Sequence, residues 1–543
     1  MTSSFSPGPD CPLQAPSLHG GAQERPARHG GSLFLACLIG LLLLLDGCAG
    51  LPSGVPPAAS HADDEYAQTA LYRMTAPKLP DDGRSGLRLL PVASYAMATR
   101  IALARSAQRT LDLQYYLLKN DNTGQVLMRE LRAAARRGVR VRLLLDDLYT
   151  VGEDPILLDL AAEPNFEVRL FNPFVVGRAS RLTRFVGAAF ELGRVDRRMH
   201  NKLFVADNAA AVMGGRNIGD EYFMRAADSN FVDIDVFVAG PAVRDLSRAF
   251  DSFWNSDLAI PIVRLAGPAP VLAQADRELD RLTVAAQEPP LQALPAALRR
   301  FGTLPDEIAQ GSIDGLNLAP CSVVVDRPDK TGSHDDLSFP TVTRFVLAML
   351  AAAQSEAVMV SPYFVPGERG MKMMREARQK GGRVVLVTNS LASTDSPLAQ
   401  LGYMRYRKAM LREGVEIREL SPSRSRERRR FGAFGSSSGS LHAKVVITDK
   451  EKIFFGSMNL DYRSAYTNTE VGIIVESPEI VRQFEALVDE GSFFVLHLDA
   501  DDNIRWTLEG KSDASALDTD PETSWWQRLM PTLLDPFVAE DEL

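Results

Sequence analysis

Two stretches of the chain carry the same reactive side chains at the same spacing. The first reads His200-Asn201-Lys202, then Asp207, then Gly214-Gly215-Arg216-Asn217; the second reads His442-Ala443-Lys444, then Asp449, then Gly456-Ser457-Met458-Asn459. From each histidine the lysine lies two residues on, the aspartate seven and the asparagine seventeen. Imidazole can attack as a nucleophile or move a proton near neutral pH. A lysine ammonium and an asparagine amide can offset charge that builds on an anionic oxygen. Together they suit a phosphodiester, whose charge repels a nucleophile and whose alkoxide leaves poorly. One histidine would attack phosphorus, and the other would protonate the leaving alcohol and later deprotonate the accepting one.

A nucleophilic histidine needs one ring nitrogen held protonated so that the other is free to attack. Laying one stretch on the other finds a carboxylate for this. Glu470 precedes Pro478 by eight residues and Asp233 precedes Pro241 by eight, with five extra residues in the loop before Asp233. Asp233 is thus expected to orient His200, and Glu470 to orient His442, with Asp235 as the alternative to Asp233. Asp207 and Asp449 fall at a turn, on the opposite strand face from the lysines, and are expected to serve structure. No metal-ligand spacing accompanies these residues, so neither metal nor cofactor is expected.

The elements around them repeat as well. Two-residue alternation puts His200 and Lys202 on one strand face, and His442 with Lys444 likewise. Glycines on the returning strand let backbone approach an anion. Upstream, residues 96–107 have helical spacing, 111–118 read as a strand, 124–137 as a helix and 139–147 as a strand. The same order returns at 343–354, 358–365, 370–382 and 383–390. A repeat of about half the chain is a duplicated α/β domain with a buried mixed sheet in each copy. The expected boundaries are 86–262 and 321–500, with a helical connector over 263–320, a flexible tether over 48–85 and a C-terminal extension over 501–543.

Of the 543 residues, 45% are hydrophobic and 24% charged, which is ordinary for globular domains. The net charge of −9 gives no sign of a nucleic-acid partner. Residues 33–45 form an apolar run too short to cross a bilayer, which suits a secretory leader. Cys48 follows in Leu45-Asp46-Gly47-Cys48-Ala49, which resembles a bacterial lipobox, although Asp46 departs from the usual small uncharged residue. That reading makes 1–47 a lipoprotein signal and Cys48 the acylated first residue, and it loses Cys11 and Cys37. Cys321 alone then remains, so no internal disulfide is expected. The expected location is the bacterial cell envelope, with the chain anchored in a membrane and facing the periplasm.

The paired HxKxxxxD stretches with downstream Gly-Gly/Ser-x-Asn resemble the phospholipase D superfamily. Residues 197–202 (RRMHNK), 214–223 (GGRNIGDEYF), 361–367 (SPYFVPG), 388–393 (TNSLAS) and 440–445 (SLHAKV) are similar to the bacterial C-type cardiolipin synthases, a likeness running from about residue 90 to the C-terminus. The resemblance implies two α/β/α lobes with one shared active site at their interface, a phosphohistidine intermediate and no metal. It places the nucleophile on His200 and the acid/base on His442, while the near-symmetry leaves the reverse open. It also implies phosphatidylglycerol as acceptor, with phosphatidylethanolamine or a second phosphatidylglycerol as donor. The competing readings are a hydrolytic phospholipase D releasing phosphatidic acid, a nuclease of the same superfamily and a noncatalytic lipoprotein. Three segments suit a membrane surface: 171–198, with aromatics among arginines; the basic run 421–440; and 521–534, with Trp525 and Trp526 beside Leu529. For the last, packing onto the second half is the favoured alternative.

Overall fold

Alternating apolar strands and amphipathic helices fold here into two sheets, each layered by helices. The computed structural model describes residues 51, 57–175, 177–178, 180, 182–184, 192–291, 293–330, 341–423, 438–488 and 492–539. The apolar run 33–45, the acylation candidate Cys48, most of 421–440 and part of 171–198 lie outside the described residues.

The first lobe opens with strands Ser85–Leu90 (β1), Thr110–Tyr115 (β2), Arg140–Asp146 (β3), Phe166–Phe171 (β4), Lys202–Ala206 (β5) and Ala210–Gly214 (β6). Ser229–Val232 (β7) stands apart, and Asp235–Ala239 (β8), Ala259–Pro261 (β9) and Asn317–Ala319 (β10) complete the sheet. The second lobe holds Cys321–Val325 (β11), Glu356–Val360 (β12), Arg383–Asn389 (β13), Glu416–Leu420 (β14) and Ser438–Leu441 (β15). Its remaining strands are Val445–Thr448 (β16), Lys452–Gly456 (β17), Val471–Glu476 (β18), Phe493–Leu498 (β19) and Ile504–Leu508 (β20).

The strand orders are β10-β1-β8-β6-β5-β2-β3-β4-β9 and β11-β18-β17-β16-β12-β13-β14-β19-β20. Eight strands correspond one to one, and each lobe adds one of its own, β10 at one edge and β20 at the other. In each sheet three central strands are parallel (β2-β3-β4 and β12-β13-β14) and the rest antiparallel. This is the duplicated mixed-sheet α/β architecture that the repeat predicts. A third, two-stranded sheet pairs β7 of the first lobe with β15 of the second, in parallel. The extra residues in the first lobe's loop thus belong to the segment that builds an inter-lobe strand.

One apolar cluster runs through both lobes, with Leu203, Met213 and Val236 on one side and Val385, Val445 and Ile473 on the other. The lobes therefore share a core, and the ends of β5 and β16 meet at its edge. The connector carries helices Leu272–Thr283 and Leu304–Gln310 and buries Leu279, Leu304 and Ile308 against the first lobe.

One expectation needs correction. The stretch from residue 57 to 85 is no tether. The Ser60 N–H donates to Asn255 Oδ1 at 3.0 Å, the Ala62 N–H to Asp251 Oδ2 at 2.8 Å, and Leu71 is fully buried. The C-terminal helix Trp525–Leu534 leaves its aromatic pair in solvent, with Trp525 67% and Trp526 51% exposed. Arg405 holds the end of that segment through Asp535 and Val538.

Candidate active site

His200 and His442 each stand just before the first strand of a tight hairpin. The three-residue connections Asp207-Asn208-Ala209 and Asp449-Lys450-Glu451 have positive φ at their first two residues (53° and 50°; 53° and 57°), the geometry that matches strand twist. The Asp207 carboxylate accepts from the N–H groups of Gln108, Arg109 and Thr110 at 2.8–3.1 Å, fixing β5 to the start of β2. Asp449 does the same for Gln354, Ser355 and Glu356 at 2.7–3.1 Å. Those backbone hydrogen bonds hold the Asp449 carboxyl at about 2, against the opposing effect of burial.

The histidines and carboxylates gather at the lobe interface, and their pairing is crossed. His200 Nδ1 lies 3.0 Å from both oxygens of Glu470, and His442 Nδ1 lies 2.7 Å from Asp233 Oδ2. The expected pairs, Asp233 with His200 and Glu470 with His442, are therefore wrong. The backbone gives the reason. The His200 N–H donates to the carbonyl of Thr469, the residue before Glu470, at 2.9 Å, and the His442 N–H to that of Val232, the residue before Asp233, at 2.8 Å. Each histidine is tied to the opposite lobe one residue ahead of its carboxylate. Asp235 plays no part in this: it pairs with Arg100 at 3.0 Å and Arg216 at 3.2 Å within the first lobe.

The two orienting carboxylates are supported differently. A Cβ at Gly215 would lie 2.1 Å from Asp233 Oδ1, so only glycine leaves room for that carboxylate. At the equivalent place Ser457 donates its hydroxyl to Glu470, and Ser464 adds a second donor at 2.8 Å. The Glu470 N–H in turn donates to Asp326 at 3.0 Å. Burial raises the Asp233 carboxyl, but the His442 hydrogen bond and the charges of Lys444 and Arg216 outweigh it and hold it low. Burial raises the Glu470 carboxyl, and Lys202, Ser457 and Ser464 offset this only in part.

Both imidazoles are buried and held below the ordinary histidine range. For His200 the cause is burial, then the charges of Lys202 and Lys444, and the shift is large. For His442 burial and Lys444 lower it, while Asp233 pulls it back up. With Nδ1–H given to a carboxylate, Nε2 of a neutral ring keeps its lone pair. Lys202 Nζ donates to the His200 carbonyl at 2.7 Å, and Lys444 Nζ to the His442 carbonyl at 2.6 Å. Burial pushes both ammonium groups down, Lys444 to about 8. Asn217 donates to the Tyr222 hydroxyl at 2.9 Å, and the Oδ1 atoms of Asn217 and Asn459 have no hydrogen-bond partner. Among the described residues no group of three or more His, Cys, Asp or Glu side chains could hold a metal ion.

The histidines, lysines and carboxylates thus come together; Asn217 joins them through Tyr222, which flanks His442, and Asn459 through its N–H to the Ser464 hydroxyl, which donates to Glu470. Aromatic walls were missed: Tyr116 stands edge-on to His200 at 4.9 Å, and Tyr222 and Phe231 flank His442 at 5.2 and 4.9 Å. Tyr222 lies in the stretch GGRNIGDEYF, so a signal existed. Tyr116 and Phe231 offered none, because only the fold brings them to the rings.

A family model described as "Cardiolipin synthase, PLD-like domain" matches residues 101–254 and 346–490, one span in each lobe and together more than half of the chain. The chain belongs to this family. Cardiolipin synthase C of Escherichia coli (strain K12) is 35% identical over 466 residues, covering 84% of this chain and 96% of that protein. An uncharacterised protein of Helicobacter pylori is 30% identical over 90% of this chain and 96% of its own length. A probable cardiolipin synthase of Bacillus subtilis is 22% identical over 80% of this chain and 71% of its own. As a member of the cardiolipin synthase, PLD-like family, the chain is an enzyme of the phospholipase D type. In this family member each matched span supplies one histidine, one lysine and one carboxylate.

Proposed function

We propose that the chain is a phosphatidyl transferase that forms cardiolipin from phosphatidylglycerol and a second phospholipid, phosphatidylethanolamine or phosphatidylglycerol. The observation that carries this reading is the crossed pair of oriented, buried histidines with two buried lysines beside them. His200 Nε2 attacks the donor phosphorus and forms an N–P bond. The P–O bond to the headgroup alcohol breaks, and His442 gives its proton to the leaving oxygen. The glycerol hydroxyl of phosphatidylglycerol then passes its proton to His442 and attacks phosphorus, breaking the N–P bond. His442 suits the proton-transfer role because Asp233 keeps it nearer its ordinary range than His200. Lys202, Lys444, Asn217 and Asn459 offset charge on the phosphoryl oxygens.

The identity of the relatives and the lipobox resemblance support a phospholipid substrate and a membrane location. Among the described residues no helix is long and apolar enough to cross a membrane. We place the chain in a bacterial envelope membrane facing the periplasm, held by acylated Cys48. Labelling cells with a radioactive fatty acid should mark the wild type and not Cys48→Ala; equal labelling would remove the anchor and leave the chemistry intact.

The activity itself is tested by giving the purified full chain vesicles of phosphatidylglycerol, with and without phosphatidylethanolamine, and identifying products by mass spectrometry. Cardiolipin is expected, with released glycerol or ethanolamine naming the donor. Phosphatidic acid alone would show a hydrolase.

A further inference from the structure

The outer face of the second lobe holds an apolar cavity of about 140 Å³. Its walls come from helix Val342–Ala352 (Leu347, Leu350), helix Gly367–Gln379 (Met373, Met374) and the segment Met458–Tyr466. The internal repeat explains why it exists. In the first lobe the equivalent helices, Ala93–Ser106 and Asn122–Arg136, belong to one apolar cluster, which Ile218 and Phe223 join and the connector's Leu304 and Ile308 cover. In the second lobe the two helices fall into separate clusters, one around Met371 and Met374, the other around Val342, Val346 and Met349. Leu350 and Leu460 touch both. The gap between the clusters is the cavity.

The cavity abuts the segment that carries Asn459. Met458 and Leu460 line it, and they are the chain neighbours of Asn459. Asp461, also in its wall, is buried and pushed up to about 6 by that burial, close enough to Lys444 and Glu470 for their charges to act on it. Arg369 lies in the lining with its side chain largely exposed, a cation for an anionic headgroup. The volume is close to the roughly 150 Å³ of an apolar cavity that stays dry and takes benzene. Four methionines line it (Met359, Met373, Met374, Met458), and methionine adapts to flexible alkyl shapes.

We propose that this cavity seats part of one acyl chain of the phospholipid whose phosphate lies at His200 and His442. The inference rests on the proposed phosphatidyl transfer. An acyl chain extends about 15 Å, half the bilayer's apolar thickness, which lets it run from the phosphate past Asn459 into the lobe. Binding there would favour long-chain lipids over short-chain or water-soluble phosphodiesters.

The test compares Leu347→Trp and Met373→Trp, which fill the cavity from its two helices, with the wild-type full chain. On dioleoyl phosphatidylglycerol the KM should rise about tenfold, the cost of leaving roughly two methylenes in water. On dibutanoyl phosphatidylglycerol, too short to reach, KM and kcat should stay unchanged. Equal losses on both lipids, or no loss on either, would overturn the proposal. A second measurement needs no variant: phosphatidylglycerol with a photoreactive diazirine midway along one acyl chain should label peptides containing Leu347, Leu350, Met373 or Met374. Labelling confined to other surfaces would also overturn it. A wild type that converts neither lipid would refute the phosphatidyl transfer, and the labelling would still decide whether an acyl chain enters the cavity.

Discussion

Each imidazole is held by one carboxylate from the opposite lobe, so a change at either carboxylate should be felt at the histidine beyond it. Glu470→Gln keeps the shape but removes the charge, and the turnover should fall by roughly 10²–10⁴. In NMR spectra of histidine-labelled protein the His200 signals should move while those of His442 stay. Movement at His442 instead would restore pairing within each half. The pH profile follows from the same surroundings. Burial and the neighbouring lysines hold the His200 ring below the ordinary histidine range, so the neutral nucleophile should persist as pH falls through 6.5, and the acid limb that it sets should lie lower. Lys444 sits at about 8, so its ammonium is lost as pH rises through that value and activity should decline there. Lys444→Arg, which stays charged, should move the decline and leave only the part that Lys202 sets, at a lower maximal rate; an unchanged decline would clear Lys444. The reactive residues were legible because their types and spacing occur twice. Their partners were not: superposing repeats shows which carboxylates are equivalent, never which half each one serves.

The hairpins that present the histidines depend on a carboxylate at each turn. Asp207 is fully buried, and its loss would strand the N–H groups of Gln108, Arg109 and Thr110. Asp207→Ala should cost about 1–3 kcal/mol of stability in urea unfolding, with kcat of the folded fraction nearly unchanged. A large fall in kcat without loss of stability would instead place Asp207 in the chemistry. Strands and helices were legible to within a few residues because apolar periodicity switches cleanly between them. The stretch 57–85 was not. Its Pro- and Ala-rich composition reads as tether, yet Asp63 pairs with Arg109, and Ser60 and Ala62 bond to Asn255 and Asp251. Those partners are distant in sequence and leave no local trace. The C-terminal helix shows the converse: capping by Ser524 fixes its start, but sequence left open whether its tryptophans pack or face solvent.

At the scale of the whole molecule, duplication explains both the near-symmetry and its breaking. The lobes share eight strands in one order and one inner core, and the crossed backbone hydrogen bonds join them at the site. Asymmetry enters where the sequences differ: Gly215 against Ser457, aspartate against glutamate, a covered outer face against an open one. The central claim is that these halves make one site in which a single histidine carries the phosphatidyl group. The measurement that tests it most directly is to quench the enzyme during turnover in alkaline denaturant and map the covalent adduct by mass spectrometry. The account predicts a phosphatidyl group on His200 of the wild type and none in His200→Ala. An adduct on another residue, or rapid turnover by His200→Ala, would contradict it.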